Sequence, residues 1–434
     1  MKLLLMILIG ALAALLANRR IAVFNDGIRP LVAENVEGRL DQKTLILSSF
    51  SMSIVLLIGF GLPFSLTVNI LLIHTLLLGT DIIGLLIPRG KWGEIITVII
   101  GGAYGAAINL TMEFIHNSIN YLPINMISSL EMTGTPVIYV FIAIPSIAVA
   151  LQFGIGKGLL TFVASFLARQ TTMWVYENYE ISIEGSFNKF SPESSALLTG
   201  MIFILVFSIY QNKAKSDVKD VGLKMSELFG HRIEGIQKNI LYFMILGGLI
   251  AAATNHFIMA GDPISLQLLA EDKTIEAGLV SVIKALAFLP LMVGTAITTG
   301  VYGPVGLSFI FAAGMFLPNE WIAGIFGSLL IMIELKLLRV LANFLDSFPK
   351  AREIGENIRT AMVKVIEITF LIGSATASND MVPGLGIFLF CSIYILNEVA
   401  GRPINRMAVG PIGVLVIGLL VSLFYFFGLI SLPY

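Results

Sequence analysis

Seven charged side chains fall inside long apolar runs: Asp81, Arg169, Lys284, Glu334, Lys364, Glu367 and Glu398. A charge in such surroundings is costly, and it often marks a path for a solute or ion. Asp81, in LLLGTDIIGLL, has no basic residue in its own run. Protonation, a bound cation or a partner on another helix could each satisfy it. Lys364 and Glu367 stand three apart on one helix face and can pair. That pair reads either as a tie between helices or as part of a site. Ser374, Thr376 and Asn379 follow Glu367 and make it the better site candidate of the two. Glu334 sits one turn from Lys336 and Arg339, which points to a local snorkelling pair. Glu398 with Arg402, in LNEVAGRP, reads as an i,i+4 pair closing a helix end.

Interrupted backbone is the second kind of signal. GTAITTGVYGPVG, at Gly294–Gly306, packs Thr295, Thr298 and Thr299 with four glycines and a proline between two apolar runs. Non-helical backbone at membrane depth is tolerated only where it is buried in protein or lines a cavity. GFGLPFS at Gly59–Ser65 is the expected partner break, and SLEMTGTP at Ser129–Pro136 a third. A tight turn between helices is the alternative for each.

The elements that must position these residues follow from composition. The chain has 434 residues, 56% hydrophobic and 13% charged, with a mean hydropathy of +0.90. Soluble domains carry about 25% charge, so an all-α polytopic membrane protein is expected. A net charge of −1 argues against nucleic acid as a partner. The single cysteine, Cys391, excludes an internal disulfide or thiolate cage. GIGKG at Gly154–Gly158 lacks the spacing of a phosphate-binding P-loop, and the four histidines are scattered. No metal site or cofactor is expected, and an enzyme within the membrane would need an acid–base constellation that the spacing does not supply.

Apolar runs long enough to span fall near 2–18, 44–62, 66–88, 93–115, 135–153, 156–175 and 194–211. They resume near 239–258, 277–297, 300–317, 320–344, 357–378, 384–400 and 406–429. That predicts about 14 transmembrane segments. The polar stretch 212–238 between them is rich in lysine and should be cytoplasmic. With it inside, 21 of the 27 basic residues fall on the cytoplasmic side, and both termini lie outside. Residues 1–211 and 239–434 resemble each other in order. MILIGALAALLA at Met6–Ala17 parallels MILGGLIAAATN at Met244–Asn255, LVAEN at Leu31–Asn35 parallels LLAED at Leu268–Asp272, and GLLIPRGKW at Gly84–Trp92 parallels GMFLPNEW at Gly314–Trp321. NYLPINMISSLE at Asn120–Glu131 parallels DSFPKAREIGEN at Asp346–Asn357, and GKGLLTF at Gly156–Phe162 parallels GLGIFLF at Gly384–Phe390. Seven spans per half is odd, so the halves should be inverted-topology repeats, an architecture of secondary transporters.

Three strings resemble the YhfT family of bacterial inner-membrane proteins: AVFNDGIRPLV at Ala22–Val32, NIRTAMVKVIE at Asn357–Glu367 and LNEVAGRPINRMA at Leu396–Ala408. The resemblance runs end to end and includes GTDIIG around Asp81. It implies an orphan transporter, and its motifs put forward Asp26, Arg29, Asp81, Glu367, Asn397, Glu398 and Arg402. By analogy alone, the layout is similar to dimeric sugar-permease subunits of phosphotransferase systems, which move a transport domain like an elevator. The expected function is a multi-pass secondary transporter of the bacterial inner membrane. It would move a small polar solute by alternating access, coupled to sodium or protons, as a homodimer. A permease-like subunit working with separate partners, or a channel, is the alternative.

Overall fold

The computed structural model describes residues 1–119, 122–124, 126–178, 192–213, 230–303, 308–346 and 349–431. In the first half the helices are α1 (Lys2–Asn18), α2 (Arg29–Val36), α3 (Gln42–Leu56), α4 (Leu62–Val68), α5 (Ile73–Leu86), α6 (Lys91–Ile119), α7 (Met126–Phe141), α8 (Ile144–Phe153), α9 (Ile155–Asn178) and α10 (Pro192–Lys213). The second half contributes α11 (Gly230–Gln237), α12 (Ile240–Asn255), α13 (Pro263–Ala270), α14 (Thr274–Thr299), α15 (Ser308–Phe316), α16 (Glu320–Asp346), α17 (Pro349–Met381), α18 (Leu385–Val399) and α19 (Arg406–Phe426). The chain is an all-α membrane protein. Five helical stretches are long and apolar enough to cross a bilayer, six if the bent α11–α12 pair counts as one. Five further apolar helices have only 10–17 residues each, so among the described residues long apolar helices do not account for all 14 expected spans. Apolar side chains stay exposed along α6, α9 and α16, among them Ile99, Phe114, Leu159, Phe166 and Ile325. Patches of that size are not left to water.

Local chemistry sets the ends of these elements. Asp41 caps α3 by accepting from Thr44 N at 3.0 Å, and Asp262 caps α13 by accepting from Ser265 N at 2.9 Å, with Pro263 in the first turn. Asn69 closes α4 and Gly300 closes α14 in the left-handed conformation, with φ of 53° and 71°. Two expected breaks are corrected. Gly59–Ser65 is helical throughout, a π-helical turn over Leu57–Gly61 running into α4. The chain breaks instead at Asn69–Leu72. Ser129–Pro136 likewise lies inside α7, whose interior takes Pro136. Of the stretch Gly294–Gly306, residues to Thr299 belong to α14 and residues 304–306 lie outside the described ones, as do 214–229 of the central polar stretch.

The two halves make the same contacts twice. Strand β1 (Leu71–Leu72) pairs in parallel with β2 (Met259–Ala260), which follows α12. Tyr302 pairs in parallel with Ala22, which follows α1. Each half thus offers the segment after its first long helix to the break in the other half. Asn18, ending α1, donates to Gly84 O and Ile87 O at 3.0 and 2.7 Å. Asn255, ending α12, donates to Gly314 O and Leu317 O at the same two distances. α1 crosses α6 at Gly101, where a Cβ would stand 2.6 Å from Gly10 O. α12 crosses α16 at Gly327, where it would stand 2.7 Å from Gly247 O. Only glycine permits backbones that close.

Candidate functional site

Where the second-half break meets the first half, the chain buries a polar cluster. Residues 19–28 leave α1, turn back along α5, and lead into α2. Asp81, fully buried on α5, holds this turn. Its carboxylate accepts from Phe24 N at 3.1 and 3.0 Å and from Asn25 N at 2.8 Å. No side chain within its own helix supplies these bonds, as expected, and the partner comes from the loop after α1. Arg29, in the first turn of α2 and the largest fully buried side chain among the described residues, is ion-paired with Asp26, three residues before it. Its charge acts on both Asp81 and Tyr302. A Cβ on Gly303 would fall 2.3 Å from the Arg29 guanidinium carbon, so the break passes directly against it.

Tyr302 carries the cluster across to α16. Its hydroxyl donates to Glu334 Oε2 at 2.6 Å, and its ring stands edge-on to Phe243, 5.2 Å between centroids. Its backbone is held on both sides, Tyr302 N to Ile21 O at 2.9 Å and Val23 N to Tyr302 O at 3.1 Å. The expected pairing of Glu334 with Lys336 and Arg339 is corrected. Glu334 turns inward to Tyr302, while Arg339 reaches Glu234 of α11 at 2.9 Å. Glu334 Oε1 is buried and has no hydrogen-bond partner among the described residues. Next to the cluster, Arg232 of α11 bonds Thr298 O and pairs with Glu37. Thr295 is buried, while Thr298 and Thr299 are half-buried and return their hydroxyls to α14 carbonyls, 2.8 Å to Gly294 O and 2.6 Å to Thr295 O.

The remaining candidates gather elsewhere. A cleft of about 770 Å³ opens between α3, α17 and the turn joining α18 to α19; its lining includes Phe50, Met52, Glu367, Arg402 and Arg406. Glu367 lies 3.6 Å from Arg406, and no ion pair joins it to Lys364 among the described residues. Lys364 is exposed instead. Glu398 pairs with Arg402 at 2.9 Å as expected and also with Arg406 at 2.8 Å. Asn397 clamps the same turn, accepting from Ile404 N at 2.9 Å and donating to Ile404 O at 2.8 Å. Arg402 takes φ 63° inside it. Ser374 is buried, and a Cβ on Gly410 would stand 2.7 Å from its hydroxyl; Thr376 is exposed and bonds Ile372 O at 3.0 Å. Asp26, Arg29 and Asp81 therefore belong to one constellation, and Glu367, Asn397, Glu398 and Arg402 to another.

Sequence reasoning passed over Tyr302 as a side chain, and with it the true partner of Glu334. It also passed over a buried polar cluster on the β1–β2 side. There Ser265 Oγ donates to Asp262 Oδ2 at 2.7 Å and lies 3.0 Å from Ser281 Oγ, while Lys284 Nζ donates to Gly261 O at 3.3 Å. The Asp-Pro-x-Ser string at Asp262–Ser265 was the available signal, since it writes a helix N-cap next to an intramembrane lysine.

The profile of the YhfT family, described as a protein of unknown function, matches residues 2–430. The chain belongs to the YhfT family. It is 30% identical over 430 residues to a protein of Escherichia coli (strain K12) called uncharacterized protein YhfT, covering 96% of each chain. No solved structure matches it. The AVFNDGIRPLV string, Ala22–Val32, supplies Asp26 and Arg29 of the first cluster, and the LNEVAGRP string supplies the Asn397-clamped turn.

Proposed function

We propose that this protein is a secondary transporter that carries a small polar solute across the bacterial inner membrane by alternating access, coupled to a cation. Two inverted seven-span repeats form it. The first comprises α1, the α3–α4 rod, α5, α6, the α7–α8 pair, α9 and α10. The second comprises α12, α14, α15, α16, α17, α18 and α19. The observation that carries the reading is the reciprocal exchange of bridges, Ala22 with Tyr302 and Met259 with Leu71. Under a swap of the halves, each contact becomes the other, which is the mark of a two-fold relation. The duplicated asparagine clamps at Asn18 and Asn255 support the same relation. An odd number of spans per half puts that axis in the membrane plane.

The short helices fit this scheme. α5 is about 21 Å long and α15 about 14 Å at 1.5 Å per residue, against a hydrocarbon core of about 30 Å. α5 follows an extended break directly, as the discontinuous helices of transporters do. A thermal-shift screen of the purified protein against polar metabolites identifies the solute, because a ligand stabilises the state it binds. Proteoliposomes then decide the mechanism. Saturable uptake accelerated by solute on the far side is expected. Uptake that never saturates and shows no exchange is a channel's behaviour and contradicts the proposal.

A further inference from the structure

Glu334 differs from every other carboxylate in the buried cluster. Asp81 accepts three hydrogen bonds from two backbone N–H groups, and Asp26 is paired with Arg29. Glu334 has one partner, the Tyr302 hydroxyl on Oε2, and Oε1 is buried without any among the described residues. An ionised carboxylate left with a bare buried oxygen is heavily penalised, whereas a protonated one is not. The groups that could have compensated it are engaged elsewhere or distant in sequence and space. Arg339 of its own helix reaches Glu234, and Lys336 is exposed. On α11, Arg232 pairs with Glu37 and bonds Thr298 O. On α14, Lys284 donates to Gly261 O, and Glu276 lies in the first turn, far along the helix. α12 brings only Tyr242, which lies under Arg19, and α15 brings no ionisable group. On α17, Lys364 and Asp380 are exposed and Glu367 lies beside Arg406. From the loop and α2 side, Arg29 faces Tyr302 and is paired with Asp26.

We propose that Glu334 and Tyr302 form a proton-binding site, and that the proton on Glu334 Oε1 is the coupling ion. The inference rests on the transporter reading for the word coupling; the site itself does not. The chemistry is one O–H bond. The Glu334 carboxylate takes a proton from water on one side of the membrane and returns it to water on the other, with Tyr302 donating to Oε2 throughout. A proton suits the geometry better than a metal cation does. Hard cations gather about six or more oxygens, whereas the one group hydrogen-bonded to this carboxylate among the described residues is the Tyr302 hydroxyl on Oε2. The position is also mechanically placed. Tyr302 ties Glu334 to the Ala22 bridge, so the site stands where the two halves meet.

Infrared difference spectroscopy of the full-length protein in lipid tests the site. A band from a protonated carboxylic acid is expected at neutral pH, lost in Glu334→Gln and retained in Glu367→Gln. Tyr302→Phe, which keeps the acid, should shift that band, so the test survives poor folding of the glutamine variant. A band unchanged by both Glu334→Gln and Tyr302→Phe overturns the site. Loss of the band when sodium replaces potassium at constant pH overturns the proton in favour of sodium. The transport assay fails separately. A Glu334 band without solute exchange sinks the transporter reading alone, and exchange without the band sinks this site alone.

Discussion

Replacing Asp81 by alanine removes the acceptor of two buried backbone N–H groups, Phe24 N and Asn25 N. A buried donor left without a partner costs about 1–3 kcal/mol, so the two together predict roughly 2–6 kcal/mol of destabilisation. Asp81→Asn keeps one oxygen and should lose about half as much, about 1–3 kcal/mol. Reversible unfolding in mixed micelles at rising denaturing-detergent fraction measures both differences. The order wild type, Asn, Ala is expected, with accessibility of a reporter cysteine in the 19–28 turn rising in the same order. An alanine variant within about 0.5 kcal/mol of wild type, the range of ordinary surface substitutions, would refute the claim that Asp81 holds that turn.

Asn18→Ala and Asn255→Ala should destabilise equally, each by roughly 1–3 kcal/mol for two lost hydrogen bonds, and additively because they share no partner; unequal or strongly coupled losses in the same unfolding assay count against the duplicated clamp. Gly303→Ala places a methyl against the Arg29 guanidinium and should disturb the Asp26–Arg29 pair at the start of α2, raising reactivity of a Leu31→Cys reporter in the double variant over the single one; equal reactivity contradicts that packing. Asp41, outside the spans, accepts from the Thr44 hydroxyl and amide, which holds its carboxyl below the usual range. Its contribution is therefore present above the ordinary aspartate value and lost as pH falls through the depressed one, and NMR titration of the side chain should show that lowered midpoint in the wild type and one moved part of the way back in Thr44→Val, which keeps the amide donor.

Some of this was legible in the residues. Asp81 stood out because nothing in its own helix could neutralise it, and the Glu398–Arg402 pair followed from i,i+4 spacing alone. The parallel of Met6–Ala17 with Met244–Asn255 was visible too, although the carbonyl clamps align Asn18, not Ala17, with Asn255. Other features had no local signature. Glu334 had two basic neighbours one turn away, and only tertiary packing decides that Tyr302, 32 residues back, claims it instead. Gly59–Ser65 carries the glycines and proline of a break, yet a π-helical turn absorbs them, with Pro63 immediately after it at the start of α4. The true break at Asn69–Leu72 has neither glycine nor proline, so composition could not announce it.

The inversion of the two halves is the claim on which the rest depends, and side-specific labelling tests it most directly. In a Cys391→Ser background, single cysteines replace Arg39, which follows α2, and Glu271, which follows α13; both positions are exposed. An impermeant maleimide is applied to intact cells stripped of their outer membrane, then to permeabilised ones. Labelling of position 271 from outside, and of position 39 only after permeabilisation, is the expected result. Labelling of both from the same side would contradict the inverted arrangement, and with it the transporter built on it.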